Sequence, residues 1–134
     1  MYQLRGKLSI VMPAYNEEAL IYNSIMQTLS IVEQFAPDLE IIAVNDGSKD
    51  KTKQEIERAI RDDAKQPHPV VPGMRVSGTR IKLVTSNKNR GKGNAIISGI
   101  SQAEGDYIAF VDADLELNPA QLEGYLKKMQ ESGS

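Results

Sequence analysis

A chain of 134 residues, 40% hydrophobic and 25% charged, has room for one domain with a real core. Its 18 acidic and 16 basic residues give a net charge of −2, which argues against nucleic acid as a partner, because a sequence-independent grip on DNA or RNA needs a basic surface. With no cysteine there is no disulfide framework, thiol nucleophile or zinc thiolate site, so an intracellular, cytoplasmic place is expected.

Residues 1–7 run directly into a short apolar stretch without the long apolar segment of a signal peptide or membrane span, so neither is expected within them. The first strand is predicted at 8–12, followed by a helix over 18–35, where Leu20, Ile21, Ile25, Leu29 and Val32 recur at three- and four-residue steps. A second strand at 40–44 leads to a helix over 50–64. There Ile56, Ala59 and Ile60 stand among Glu55, Arg58 and Arg61, the pattern of a helix on an exposed face. The stretch 65–79 holds Pro67, Pro69, Pro72, Gly73 and Gly78 and reads as a surface loop, the most mobile part of the chain. His68 within it is expected at the surface with no role.

A third strand at 80–85 precedes a helix from Asn94 to its stop at Gly105, with Ile96, Ile97 and Ile100 turned to the sheet. The fourth strand is 107–111. A last helix opens with Asn118 as N-cap and Pro119 in its first turn, and its apolar face is Leu122, Tyr125, Leu126 and Met129. Short strands rich in Ile, Val and Leu, alternating with helices, define an α/β chain with a parallel sheet and crossover helices.

Four polar clusters fall where those strands end, the rim at which open α/β sheets bind ligands. Asp112-Ala113-Asp114 is the most informative, since two carboxylates beside a buried strand are costly unless a cation or solvent relieves them. Hard oxygens suit Mg2+ or Mn2+, with substrate phosphates and water completing the shell, so a metal-chelated diphosphate is the expected ligand. Pro13-Ala14-Tyr15-Asn16-Glu17-Glu18 has a plain reading, with Asn16 capping a helix and the glutamates facing its positive end. It also offers Tyr15 as a flat surface for a base and Glu17 as an acceptor. Asn45-Asp46-Gly47-Ser48 serves equally as a turn or as a nucleoside contact through Asp46. Lys88, Arg90 and Lys92, among Gly91 and Gly93, are either a solvated basic loop or an anion site at a helix start. They match neither the Walker nor the dinucleotide glycine pattern.

Taken together, Ser9 through Glu18, Val44 through Ser48, Asn89 through Ala95 and Gly105 through Asp114 resemble, in order and spacing, the family 2 glycosyltransferases of GT-A fold. The resemblance implies a three-layer, Rossmann-like, mainly parallel sheet of order 3-2-1-4 with helices on both faces. It also implies a donor site of Pro13, Ala14, Tyr15, Glu17, Asp46, Lys92, Asp112, Ala113 and Asp114. Asp112, Asp114 and Glu116 would hold the metal. Asp-Ala-Asp-Leu and the following Pro119 are most similar to the polyprenyl-phosphate sugar transferases, dolichyl-phosphate mannose synthase among them.

The implied reaction is inverting transfer of a sugar from a UDP- or GDP-linked donor to a hydroxyl or phosphate acceptor, which polyprenyl phosphate would fit. A lipid acceptor would place a longer parent at the cytoplasmic membrane face. In the family the general base and acceptor half lie beyond the aspartate motif. The resemblance therefore puts the catalytic base beyond Ser134 and makes residues 1–134 the donor-binding part of a truncated domain. Its fourth strand would then expose an apolar edge, met by dimerisation, aggregation or the last helix. Two other classes remain: a nucleotide-binding module without turnover, and a nucleotidyltransferase. The latter normally carries a glycine-rich loop after its first strand, which Pro13-Ala14-Tyr15-Asn16-Glu17 does not match.

Overall fold

The computed structural model describes residues 2–69 and 78–132. Its elements in chain order are β1 (Leu8–Ala14), α1 (Ile21–Val32), β2 (Leu39–Asp46), α2 (Thr52–Ala64), β3 (Ile81–Ser86), α3 (Lys92–Ile100), β4 (Tyr107–Phe110) and α4 (Leu122–Glu131), the last entered through a 3-10 turn, Pro119–Gln121. The four strands pair in the order β3-β2-β1-β4, all parallel. This is the order the resemblance implies. The chain direction of the connections reverses between β1 and β4, which opens a crevice beyond their carboxyl ends.

β1 and β2 are apolar almost throughout because both of their faces are covered. Leu8, Ile10, Met12, Ile41 and Ala43 face α1, α2 and α4, meeting Ile21, Ile25, Leu29, Ile56, Ala59, Leu122 and Leu126. Val11, Ile42 and Val44 point the other way, towards Ala95 of α3. The result is three layers. No helix among the described residues is long and apolar enough to cross a membrane.

Several expectations are corrected. α1 begins at Ile21 rather than residue 18, because the preceding amides are drawn sideways: Asn16, Glu17 and Glu18 donate to Ser48 Oγ, Thr52 Oγ1 and Asp50 Oδ2 at 2.9, 2.8 and 3.2 Å. α2 presents charge outward, yet its Ile56 and Ala59 are fully buried, so it is a core helix on one side. α3 starts two residues early and ends at Ile100, and it turns Ala95 and Gly99, not its isoleucines, to the sheet. The reason is distance: a Cβ on Gly99 would come within 2.4 Å of Val11 Cγ1, so only small residues fit and Ile97 stays 67% exposed. Gly105 does not end that helix; its amide donates to Ser9 Oγ at 2.8 Å where the chain re-enters the sheet. Asn118 caps as expected, accepting from the Ala120 amide at 2.9 Å, but Tyr125 and Met129 remain exposed and only Leu122 and Leu126 are buried.

His68 is also corrected. Its ring is buried, with Nε2 2.8 Å from the Asp63 carbonyl oxygen and 3.3 Å from the Asp63 carboxylate. Asp63 in turn accepts from the Arg80 guanidinium at 2.7 Å, and Arg80 reaches Glu33 at 2.8 Å. This network ties the end of α2 to the start of β3. Most of the expected mobile loop, Pro72 and Gly73 included, lies outside the described residues. So does Ser134, and with it the expectation of a general base further along.

β4 pairs only with β1 among the described residues. Its register places Ile108 beside Ser9 and Phe110 beside Val11, on the α3 face of the sheet. α4 packs on the opposite face, so Ile108 and Phe110 remain about half exposed.

Candidate functional site

The carboxyl ends of β1, β2 and β4 and the first turn of α3 surround an open cavity of 520 Å³, a volume suited to a small-molecule ligand. Every residue expected at the donor and metal site lines it: Pro13, Ala14, Tyr15 and Glu17 from β1 and its loop, Asp46 from β2, Lys92 from α3, and Asp112, Ala113, Asp114 and Glu116 after β4. Asn89, Gly91 and Ala95 line it as well. All three stand in the recognised motif, although the resemblance gives them no role, and Ala95 reaches the cavity because α3 approaches β1 and β2 through its small residues.

Asp46 is 4% exposed, and both of its carboxylate oxygens are engaged. Oδ1 accepts from the Arg90 amide at 2.9 Å and Oδ2 from the Gly91 amide at 3.0 Å. Gly47 follows with φ +69°, and a Cβ there would lie 2.3 Å from Asn89 N, so residues 88–91 rest directly on its backbone. The loop that delivers Lys92 is thereby clamped to the end of β2. Each Asp46 oxygen keeps a lone pair for a further donor.

Asn16 is not a helix cap. It sits at φ 53°, gives its amide to Ser48 Oγ and accepts from the Lys49 amide through Oδ1 at 2.9 Å. Leu20 occupies the cap position of α1 with no side-chain hydrogen bond. Asn16 thus staples the β1 loop to the β2 loop, with Tyr15 projecting at the rim, 41% exposed. The Glu17 carboxyl is pushed above its usual range by burial, and the neighbouring Asp114 and Asp50 carboxylates add to the rise.

After β4, Ala113 is buried and its carbonyl oxygen accepts from the Ser24 hydroxyl of α1, which turns the flanking Asp112 and Asp114 side chains outward. Asp114 Oδ1 accepts from the Glu116 amide at 3.0 Å, and Leu115 between them takes φ 52°. Lys92 Nζ lies 2.7 Å from Asp112 Oδ1, and that hydrogen bond and charge raise the ammonium pKa. Among the described residues no three carboxylate or imidazole groups form a ready-made metal cluster, and Glu116 lines the cavity beside the aspartate pair. Two hard carboxylates still suit a magnesium-like ion whose remaining ligands are phosphate oxygens and water.

A parallel sheet of order 3-2-1-4 with an aspartate pair at the order reversal defines an open α/β chain with a ligand-type crevice at its carboxyl rim. Residues 9–134 match the model of glycosyl transferase family 2, and the chain belongs to that family. It is 34% identical over 125 residues to the undecaprenyl-phosphate 4-deoxy-4-formamido-L-arabinose transferase of Enterobacter sp. (strain 638), a match covering 93% of this chain and 34% of the relative. The enzyme of that name from Pseudomonas fluorescens (strain SBW25) is 33% identical, with 86% and 30% covered. The chain therefore spans about a third of the length of the curated relatives it matches.

Among solved structures, the mannosyltransferase PcManGT from Pyrobaculum calidifontis, in complex with GDP-Man and Mn2+, superposes with a TM-score of 0.74 at 23% identity, covering 93% of this chain and 32% of that one. S. aureus TarS 1-349 in complex with UDP-GlcNAc superposes with a TM-score of 0.65 at 25% identity, covering 93% and 31%. The fold is that of the GT-A glycosyltransferases.

Proposed function

We propose that residues 1–134 are the nucleotide-sugar-binding part of a metal-dependent, inverting glycosyltransferase whose acceptor half belongs to a longer parent protein. The observation that carries this reading is the meeting in one cavity of the aspartate pair, Lys92, Tyr15 and Asp46, delivered by three strands and a helix start. Tyr15 and Pro13 offer a flat edge for the base, and Glu17 and Asp46 accept from base or ribose donors. Asp112 and Asp114 would hold the divalent ion, Mg2+ or Mn2+, and that ion would supply Lewis acidity towards the diphosphate leaving group. Lys92 and the start of α3 add positive charge on the same side.

Direct displacement at the anomeric carbon by a hydroxyl acceptor requires a base to take its proton, whereas a phosphate acceptor attacks already ionised; no residue of this cavity is assigned the base's task. The reading leaves it to the parent protein, beyond Ser134. The names of the bacterial relatives favour a polyprenyl-phosphate acceptor, in which case the parent works at the cytoplasmic face of a membrane. A second reading, nucleotide binding without turnover, is favoured by the third of relatives' length that the chain spans.

Calorimetric titration with UDP and GDP, in Mn2+ and in EDTA, tests the donor site. Metal-dependent binding of one nucleotide, abolished in Asp114→Asn, is the expected result. Equal binding in EDTA, or none by the folded chain, would contradict it. Sugar transfer by the longer parent, absent from the chain alone, would separate the first reading from the second.

A further inference from the structure

Lys92 and Asp112 form the one ion pair inside the cavity among the described residues, and in the donor-site reading it joins the cation meant for the diphosphate to an anion meant for the metal. We propose that this pair is a latch: Lys92 holds Asp112 while the site is empty of donor, and exchanges Asp112 for the donor's diphosphate when the metal arrives with it. The inference rests on the donor-site reading above and concerns how that site is regulated.

The geometry makes the exchange inexpensive. Lys92 is 62% and Asp112 49% exposed, so the pair gains little over the hydrated ions and yields readily to a stronger partner. The backbone beneath Lys92 is fixed by the Asp46 clamp on the Arg90 and Gly91 amides, which leaves the flexible four-carbon stem to do the moving. On the other side the backbone next to Asp112 is held, since the Ala113 carbonyl accepts from Ser24.

Charge balance then distinguishes two ligands. A bare divalent cation competes with the ammonium for Asp112 and leaves Lys92 without an anion beside a dication. A metal bound to a diphosphate brings an anion for Lys92, so both charges released by opening the pair find partners. Lys92 therefore weakens metal binding alone and strengthens binding of the metal–diphosphate, which couples the two and biases the site against free cations.

The test measures Mn2+ affinity of the wild-type chain, Lys92→Met and Lys92→Arg by water-proton relaxation, then UDP affinity at saturating Mn2+ by calorimetry. Lys92→Met is expected to tighten Mn2+ by roughly three- to tenfold and to weaken UDP by on the order of tenfold. Lys92→Arg should stay near wild type for Mn2+. A role in folding alone would not move the two affinities in opposite directions. Unchanged or weaker Mn2+ binding by Lys92→Met overturns the latch, and so does tighter Mn2+ with unchanged UDP. If Mn2+ binding is lost in Asp114→Asn but insensitive to Lys92→Met, the latch falls and the donor-site reading stands. If neither wild type nor Lys92→Met binds Mn2+, both fall.

Discussion

Asp46 carries more of the site than its position at a strand end suggests. A buried carboxylate taking one amide on each oxygen holds the loop that brings Lys92 to the cavity. Asp46→Asn would turn an N–H group towards one of those amides and leave it without an acceptor, at a cost of about 1–3 kcal/mol. Urea unfolding should register that loss together with weaker nucleotide binding, and unchanged stability would remove the clamp from the account. Asp63 is the corresponding residue away from the site. Burial pushes its carboxyl up, but the Arg80 hydrogen bonds and charge, with a contribution from His68, outweigh burial and hold it below the usual range.

A carboxyl whose pKa is lowered by folding stabilises fully above its unfolded value, about 4, and that stability is lost as the pH falls through the folded value. Urea midpoints of the wild-type chain should therefore fall below about pH 4. Asp63→Asn should be less stable at neutral pH by about 3 kcal/mol, with a flatter acid limb. Parallel acid limbs for the two proteins would contradict the assignment.

At the scale of elements, α3 sets the cavity's width by how closely it lies on β1 and β2. Gly99→Ala gains helix propensity of up to about 1 kcal/mol but places a methyl group within 2.4 Å of Val11 Cγ1. Overpacking of this kind costs about 1–3 kcal/mol, so thermal unfolding should show a net loss of stability, and a gain would mean that α3 has room to spare. The same helix marks where sequence reading stops. The strands were legible because each is a short run of Ile, Val and Leu, and the site residues because they follow strand ends in a known spacing.

The inward face of α3 was not legible: the isoleucines carry the periodicity, yet closeness to the sheet selects Ala95 and Gly99. Nor was the start of α1, since the amides just before it are taken by Ser48 and Asp50 of the β2–α2 loop and Thr52 at the start of α2, more than thirty residues away. The burial of His68 depends likewise on Asp63, and the pairing of Lys92 with Asp112 on how α3 and β4 sit across the rim. Local pattern carries none of these.

At the scale of the whole molecule, the sheet among the described residues ends in two edge strands, β3 and β4, which differ in what surrounds them. β3 is tied to α2 by the Asp63–Arg80 network and to β2 by Glu40, which pairs with Lys82 at 3.0 Å, whereas β4 has a bare α3-side face beside its edge among the described residues. Phe110 is 48% exposed there, and Ile108 nearly as much. Such an edge invites strand pairing with another chain. The chain alone should therefore show concentration-dependent self-association in light scattering, and Phe110→Lys should suppress it while leaving nucleotide binding intact. A monodisperse monomer at all concentrations would show the edge to be harmless.

The most direct test of the central claim is a crystal grown with Mn2+ and UDP, measured for anomalous scattering from manganese. The account predicts one manganese peak against Asp112 and Asp114, with the diphosphate bridging it to Lys92 and the base beside Tyr15. Manganese bound elsewhere, or UDP lying outside this cavity, would contradict it.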